Sequence, residues 1–275
     1  MNSIRHKFHE IKFILDSGYV DILALSETKL DDSDNDNLYN VNGFTLLRKD
    51  KRKSSGGLMM YISSRIPHRE LQFTYKTTAH IEILPVELVI DQCDKWFLGL
   101  IYKNPSTSNT EFENFFKQVC TDCIKSHDDS ILVGDLNFNM LNSTCPLGDL
   151  CDLYGLKNII DTPTCFKSMT PTLIDVILVN DKKRFYNSFT ADVGISDVHH
   201  LVGAAMRKHI PPAKTRVVEY RDVKNIDYYQ VRIDLFNLSI LDTICRVQKT
   251  LTKLFQNSMT TWYPFLTNML RLNEK

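Results

Sequence analysis

The sequence lacks the features that would mark a membrane, secreted or strongly basic protein. No apolar run approaches the ~20 residues that a membrane-spanning helix needs. The start of the chain is polar and carries no apolar signal-peptide segment. Lysine and arginine together number 33, and so do aspartate and glutamate, which argues against binding a polyanion through overall charge. We therefore expect an intracellular protein, nuclear or cytoplasmic, that is not secreted and has no membrane partner.

The cysteines provide neither a disulfide framework nor a zinc-finger pattern. There are seven, an odd number, and most lie among apolar neighbours, which is typical of unpaired thiols in a reducing compartment. Cys120 and Cys123 form one close pair in a helical pattern, and no second pair follows at zinc-finger spacing. Metal binding or redox chemistry is therefore not expected at this pair.

One short basic run stands out against the balanced overall charge. It extends from Arg48 to Lys53 and is interrupted only by Asp50. A solvated loop and a phosphate-contacting loop explain this run equally well.

The apolar pattern predicts an α/β protein followed by a less regular tail. Helical spacing covers residues 3–17 and 110–125, with a shorter helix near 147–154. Strands are predicted at residues 21–26, 44–48, 57–63, 81–90, 96–102, 130–134, 173–179 and 200–206. Residues 207–221 are rich in charge and predict a linker, and residues 222–275 show loose helical periodicity without a chemical motif.

Acidic, amide and imidazole side chains stand in or beside several of these apolar runs. They are Asp135 and Asn137 after the strand at 130–134, Glu27 after the strand at 21–26, Asp175 within the run at 173–179, and Asp197, His199 and His200 before the last strand. Polar groups beside core strands are unfavourable unless they are paired or bind something, and α/β proteins place ligands at the carboxyl ends of strands. The sequence therefore predicts one shared site.

Five short motifs, in this order, resemble the endonuclease/exonuclease/phosphatase superfamily. They are Ser26-Glu27-Thr28, Tyr102-Lys103-Asn104-Pro105, Gly134-Asp135-Leu136-Asn137, Ile174-Asp175-Val176-Ile177-Leu178 and Ser196-Asp197-Val198-His199. Residues 163–167 and 220–225 look like the endonuclease domain of non-LTR (LINE-type) retrotransposons and its connector. The resemblance implies a DNase I-like, four-layer α-β-β-α sandwich over residues 1–206, DNA as a partner, and a partial helical connector at 222–275 leading to a fused reverse transcriptase in a full-length element.

The resemblance also implies a phosphodiesterase that uses Mg²⁺, with Mn²⁺ as an alternative. Glu27 is expected to be a metal ligand, and Asp197 is expected near the metal. His199 is expected to be the general base for the attacking water, because imidazole titrates near neutral pH. Asp175 would then hold the other ring nitrogen and select the tautomer.

Further residues are expected at the phosphate. Asp135 and Asn137 resemble the pair that orients the attacking water and the phosphate, and Tyr102 resembles a phosphate-contacting tyrosine. Asn2 and Lys103 are expected to contact phosphate or DNA. Lys103 stands where the family usually has arginine, so it keeps the charge but loses bidentate recognition.

Two further departures from the family pattern lead to explicit expectations. The family's first strand, with its Asn, should precede Asn2, so the chain is expected to be N-terminally truncated, with Asn2 matching only the second polar residue of that motif. The family usually has Asp and His adjacent, whereas Val198 separates Asp197 from His199 here. His200 therefore competes with His199 for the role of base.

The sequence thus predicts a DNA-nicking endonuclease and leaves two alternatives open. One is a phosphoesterase that acts on small phosphorylated substrates. The other is a catalytically impaired remnant that binds nucleic acid or partners without cutting. The sequence does not predict an oligomeric state or a preferred DNA target.

Overall fold

The computed structural model describes residues 4–51, 55–73, 80–90, 94–206, 227 and 229–230. All but the last three residues lie in the first of two units into which the chain divides, Met1–Ala213. The linker predicted at 207–221 lies outside the described residues, and the connector predicted at 222–275 lies almost wholly outside them. Asn2, and the truncation predicted ahead of it, also lie outside.

The described residues contain three α-helices and eleven strands. The helices are α1 (Phe8–Asp16), α2 (Asn109–Asp122) and α3 (Pro146–Leu153). The strands are β1 (Ile22–Ser26), β2 (Phe44–Lys49), β3 (Leu58–Ser63), β4 (His68–Glu70), β5 (Ile81–Ile90), β6 (Asp94–Lys103), β7 (Asp129–Asp135), β8 (Lys157–Asn158), β9 (Asp175–Val179), β10 (Phe185–Ala191) and β11 (Leu201–Met206). No helix in this part of the chain is long and apolar enough to cross a bilayer.

The strands form one large sheet and two small ones. The large sheet has six strands in the order β4-β5-β6-β7-β9-β8, and all its neighbours are antiparallel except β6 and β7. The small sheets are β1-β3-β2 and the pair β10-β11. Among the described residues, β1 pairs only with β3 and β11 pairs only with β10.

Strand β3 shows how the small sheet is covered on both faces. Leu58, Met60 and Ile62 pack into the core that also contains the inward residues of β5 and β6. Met59 and Tyr61 point the other way and pack with Ile11 and Leu15 of α1. Since side chains alternate along a strand, β3 separates the core between the sheets from the layer of α1.

Helix α2 covers the outer face of the large sheet. The Ser108 hydroxyl caps it by accepting a hydrogen bond from the Glu111 amide at 3.2 Å. Phe112, Phe115 and Phe116 are fully buried in the main core. With α3 in the same cluster and α1 on the opposite side, the predicted four-layer α-β-β-α sandwich is confirmed.

All eight predicted strands are present, and β4, β8 and β10 were missed. Strands β4 and β8 have only three and two residues, too few for a pattern to be visible. Strand β10 has the sequence Phe-Tyr-Asn-Ser-Phe-Thr-Ala and four consecutive exposed residues, so it lacks the apolar alternation that signals a strand. Its pairing with β11 defines it instead.

Candidate active site

The structure brings three of the predicted residues together at one edge of the large sheet. Asp135 at the end of β7 lies directly opposite Asp175 at the start of the antiparallel neighbour β9. His199 reaches the same place from the loop that precedes β11. One ligand atom from each of the three side chains lies within 4.8 Å of the others.

Asp175 and His199 form a hydrogen-bonded pair. The Nδ1 atom of His199 lies 2.9 Å from Oδ2 of Asp175, and both side chains are largely buried. The hydrogen bond to the carboxylate raises the pKa of His199 because it stabilises the imidazolium, while burial acts in the opposite direction. With Nδ1 donating to Asp175, Nε2 is the nitrogen left to accept a proton.

A short extended segment holds both partners of this pair in place. The buried Thr164 hydroxyl accepts hydrogen bonds from the backbone amides of Ile174 at 3.1 Å and Asp175 at 3.0 Å. The Thr164 carbonyl accepts a bond from the His200 amide at 2.8 Å. Thr164 therefore ties the start of β9 to the segment that carries His199, a role that the sequence did not predict.

Asp135 is buried, with 7% of its surface exposed. Burial raises the pKa of its carboxyl, and the nearby Asp175 carboxylate raises it further. Gly134 precedes it at φ 137°, and a Cβ there would lie 1.9 Å from the Ile101 carbonyl oxygen. Only glycine therefore lets β7 approach β6 closely enough to place Asp135 at this edge.

Asn137 connects the ends of β7 and β6. It has a left-handed backbone with φ 50°, and its amide donates to Oδ1 of Asp135 at 3.0 Å. Its side-chain nitrogen donates to the Lys103 carbonyl at 2.7 Å. The hydrogen bond to Lys103 thus holds the side chain beside Asp135.

Tyr102 and Glu27 meet across the space between the two layers of strands. The Tyr102 hydroxyl on β6 donates to Oε1 of Glu27, which follows β1, at 2.8 Å. Tyr102 is buried, and burial, together with the Glu27 carboxylate, raises the pKa of its phenol. Glu27 adopts a left-handed backbone with φ 58°, and its charge acts on Asp135. The Tyr102–Glu27 pair therefore lies next to the Asp135 cluster.

Comparison with known proteins establishes the family of this chain. The sequence profile described as the Endonuclease/Exonuclease/phosphatase family matches residues 5–197. The chain belongs to this family. Its members are hydrolytic nucleases and phosphatases. No curated protein sequence matches the chain.

Solved structures share the fold at low sequence identity. The endonuclease domain of TRAS1, a telomere-specific non-LTR retrotransposon, has a TM-score of 0.54 and 13% identity, with 73% of this chain and 92% of that one covered. The 3'-5' exonuclease NExo of Neisseria meningitidis has a TM-score of 0.58 and 15% identity, with 74% and 96% covered. An AP endonuclease of Archaeoglobus fulgidus has a TM-score of 0.56 and 14% identity, with 75% and 96% covered. These similarities support the DNase I-like fold.

Within this family fold, the two neighbouring histidines face different partners. His199 contacts Asp175, whereas the His200 ring stacks on Phe166 with 4.2 Å between ring centroids. Adjacent residues on an extended backbone point to opposite sides. The hydrogen bond of the His200 amide to Thr164 sets the register that turns His199, and not His200, toward Asp175.

The remaining predicted residues lie outside the three-residue cluster. Lys103 is 3% exposed, its ammonium lies 4.5 Å from the centroid of the Phe138 ring, and burial lowers its pKa. The Lys103 side chain is thus buried beneath the site and does not extend into solvent. Asp197 is exposed in the loop before β11. Glu27 and Asp197 are not members of the cluster, and Asn2 lies outside the described residues.

The donor set of the cluster fits a divalent metal ion. Two carboxylates and one imidazole converge at Asp135, Asp175 and His199, and hard divalent cations take carboxylate oxygens as ligands. The pKa of Asp135 is raised because its carboxylate is buried beside that of Asp175, and a cation held by Asp135 would offset that repulsion. No second group of this kind occurs in the part of the chain that the structure describes.

The described cysteines show no site of their own. Cys120, Cys123, Cys145, Cys151 and Cys165 are free and buried. Burial raises the pKa of Cys120 to about 12 and that of Cys123 to about 11. The thiols of Cys120 and Cys123 therefore stay protonated at neutral pH, which makes them poor nucleophiles.

Proposed function

We propose that this chain is a DNA-nicking endonuclease of a non-LTR retrotransposon and hydrolyses a phosphodiester with Mg²⁺ as cofactor. The observation that carries the proposal is the Asp175–His199 pair beside the buried Asp135. Water activation by an imidazole that a carboxylate orients is the chemistry that this arrangement supports best. The order of the five family motifs and the fold shared with the TRAS1 endonuclease domain support the retrotransposon assignment.

In the proposed reaction, His199 takes a proton from water through Nε2 while Asp175 stabilises the imidazolium. The water oxygen forms a bond to phosphorus, the bond from phosphorus to one sugar oxygen breaks, and this leaving oxygen takes a proton from solvent water. Glu27 and Asp135 would hold the metal, with Asp197 nearby. When bound, Mg²⁺ neutralises the charge that develops on the phosphate oxygens.

Asn137 and Tyr102 have supporting roles in this proposal. The side-chain amide of Asn137 retains a second N–H, which can donate to a phosphate oxygen while the first remains on the Lys103 carbonyl. Tyr102 orients Glu27 by donating to Oε1. Lys103, buried at the same edge with 3% of its surface exposed, contributes a positive charge behind the site.

A loop beside the site favours DNA over a small substrate. Residues 166–171 connect the bridged residues Cys165 and Thr172. The loop presents Met169 at 101% relative exposure and Phe166 at 41%, and Phe166 stacks on His200. An exposed apolar tip next to the reaction centre fits an extended polymer better than a compact phosphate ester.

The test is nicking of a supercoiled plasmid by the full 275-residue chain, with and without Mg²⁺. We expect His199→Ala to lower the rate by about 10²- to 10⁴-fold, because general-base catalysis contributes about that much. Glu27→Ala should raise the Mg²⁺ requirement. The matched control is His200→Ala, which removes the neighbouring imidazole and should leave most of the activity. Metal-independent nicking, or equal loss in both histidine variants, would contradict the proposal.

One observation favours the alternative of a catalytically impaired binding remnant. Within the described ranges, β1 and β11 each have a single strand partner, so the layer that carries Glu27 and His199 is less completely paired than the large sheet. A remnant of this kind would bind plasmid DNA in a gel-shift assay and show no Mg²⁺-dependent nicking. Release of phosphate from small phosphorylated substrates, with no action on the plasmid, would instead support the phosphoesterase alternative.

A further inference from the structure

A buried carboxylate links the two layers of strands close to the site and has no part in the proposed reaction. Glu82 lies on β5 directly opposite Tyr102 on β6, so both side chains project from the same face of the large sheet. Glu82 is 7% exposed. Its Oε2 accepts a hydrogen bond from the Gly57 amide at 2.8 Å, and its Oε1 accepts one from the Lys51 ammonium at 2.9 Å. Glu82 therefore binds backbone of the opposite layer.

The backbone bound by Glu82 in turn holds the turn that carries Glu27. The Gly57 carbonyl accepts a hydrogen bond from the Thr28 amide at 3.2 Å, and the Gly56 carbonyl accepts one from the Lys29 amide at 2.9 Å. A continuous series of hydrogen bonds thus leads from the Glu82 carboxylate through Gly57 to the residue next to Glu27.

The turn at Glu27 needs such support because its left-handed backbone conformation is unfavourable. Glu27 has φ 58° and Lys29 has φ 56°, and residues with a Cβ rarely adopt this left-handed conformation. Such strain persists where surrounding contacts determine the backbone more strongly than local preference does. The two hydrogen bonds that the Thr28 and Lys29 amides donate to the Gly57 and Gly56 carbonyls are contacts of this type.

The two glycines are required for this close approach. Both have positive φ, 71° for Gly56 and 90° for Gly57. A Cβ on Gly56 would lie 2.3 Å from Oε1 of Glu82, and a Cβ on Gly57 would lie 2.4 Å from Oγ1 of Thr28. The segment at Gly56 and Gly57 therefore packs so closely against Glu82 and Thr28 that neither glycine position has room for a side chain.

We propose that Glu82 is a positioning residue for Glu27: it holds Gly57 against Thr28 and so fixes the direction of the Glu27 carboxylate. The Tyr102 hydroxyl restrains the Glu27 carboxylate directly, and Glu82 restrains the backbone that carries Glu27. The inference rests on the proposed function only for the role of Glu27 as a metal ligand.

The first test measures amide hydrogen exchange of the metal-free chain at Thr28 and Lys29. Glu82→Ala removes the acceptor for Gly57, and Glu82→Asp keeps the charge but shortens the side chain, so both should exchange about tenfold faster, the factor expected for loss of one ordinary hydrogen bond. Glu82→Gln keeps an acceptor oxygen for Gly57 and should stay close to wild type. Wild-type exchange in Glu82→Asp, or fast exchange in Glu82→Gln, would overturn the proposal, and these two variants decide it if Glu82→Ala does not fold.

The second test measures nicking against Mg²⁺ concentration in the same variants. We expect Glu82→Asp to need about 10- to 100-fold more Mg²⁺ for half-maximal rate, as is usual for partners of metal ligands, with a much smaller change in the rate at saturating Mg²⁺. The matched control is Glu87→Gln, since Glu87 is a second buried acid on β5 and binds Arg69 away from the site. An equal change in this control would assign the effect to general destabilisation and overturn the proposal. If the wild type does not nick, the proposed function fails while the exchange measurements still decide the role of Glu82.

Discussion

The large sheet and the small sheets differ in how completely their inward residues are covered. In β5 nine of ten residues are buried, and in β6 eight of ten. In β11 all six residues are only partly buried, although Val202, Ala204 and Met206 pack against the main core. In β1 the inward-facing Ile22 and Ala24 are likewise only partly buried. The sandwich thus has one dense sheet and an opposite layer in which β1 and β11, unlike the fully buried β3, are less completely packed.

The candidate site is assembled from both layers. Asp135, Asp175 and Tyr102 come from the dense sheet, whereas Glu27 and His199 come from the less covered layer. Each of the latter is held by a polar contact from the dense sheet, Glu27 by Tyr102 and His199 by Asp175. Where apolar packing is incomplete, directional hydrogen bonds determine the position of the functional groups.

Matched valine-to-alanine substitutions in the two layers should show the largest difference in the free energy of unfolding. Val86 on β5 is fully buried, whereas Val202 on β11 is partly exposed. We expect Val86→Ala to lower the free energy of unfolding by about 2–4 kcal/mol, through lost burial and an unfilled cavity. Val202→Ala should lower it by about 1 kcal/mol or less. Urea unfolding followed by circular dichroism gives both values, and equal losses would contradict the comparison.

The bridge between the layers at Thr164 should be the next most sensitive point. Thr164→Val keeps the shape of the side chain but leaves the amides of Ile174 and Asp175 without their acceptor. We expect a loss of about 1–3 kcal/mol in the free energy of unfolding, because unpaired buried donors carry that penalty. Thr164→Ser retains the hydroxyl and is the control. Equal melting temperatures for wild type and Thr164→Val would show that this hydroxyl does not hold the layers together.

The buried acid of the dense sheet should make the metal-free chain sensitive to pH. The pKa values of Asp135 and His199 are both raised in the folded chain, so the folded state binds more protons than the unfolded state above the unfolded pKa values, about 3.9 for Asp and 6.5 for His. Their contribution to stability is therefore lost as pH rises, by about 1.4 kcal/mol per pH unit for each proton retained only on folding.

Asp135→Asn isolates one part of this dependence. The variant cannot ionise, so its stability relative to wild type should increase as pH rises from about 4 through the raised pKa of Asp135. Thermal unfolding at a series of pH values, in the presence of a chelator, measures this difference. A difference that shrinks with rising pH would mean that the pKa of Asp135 is not raised.

The smallest effect is expected at the hydrogen bond between Tyr102 and Glu27. Tyr102→Phe removes only the hydroxyl and should lower the free energy of unfolding by about 0.5–1.5 kcal/mol. The same change should raise the Mg²⁺ concentration for half-maximal nicking, since Glu27 loses its restraint. Calorimetry and the nicking assay give the two values. Tyr186→Phe, an exposed tyrosine on β10, is the matched control.

The sequence predicted the elements whose signals are local. In β3, Leu58, Met60 and Ile62 alternate with Met59 and Tyr61, and in α2 the phenylalanines recur at helical spacing. Both elements could therefore be predicted from the sequence. Strand β10 was not, because its residues are polar or exposed and only pairing with β11 defines it. Thr164 lay in a stretch that resembled the family, yet nothing local showed that its hydroxyl would accept two amides from β9.

The sequence alone determined which chemical groups are present and that Glu27, Asp135, Asp175 and His199 stand next to strands. Periodicity and short motifs carry that information because they depend on neighbours in the chain. Only the tertiary structure decided that His199 rather than His200 meets Asp175, that Tyr102 binds Glu27, and that Glu82 reaches Gly57. These contacts join residues 24, 75 and 25 positions apart. They depend on the register between separate strands, and no local pattern in the sequence encodes that register.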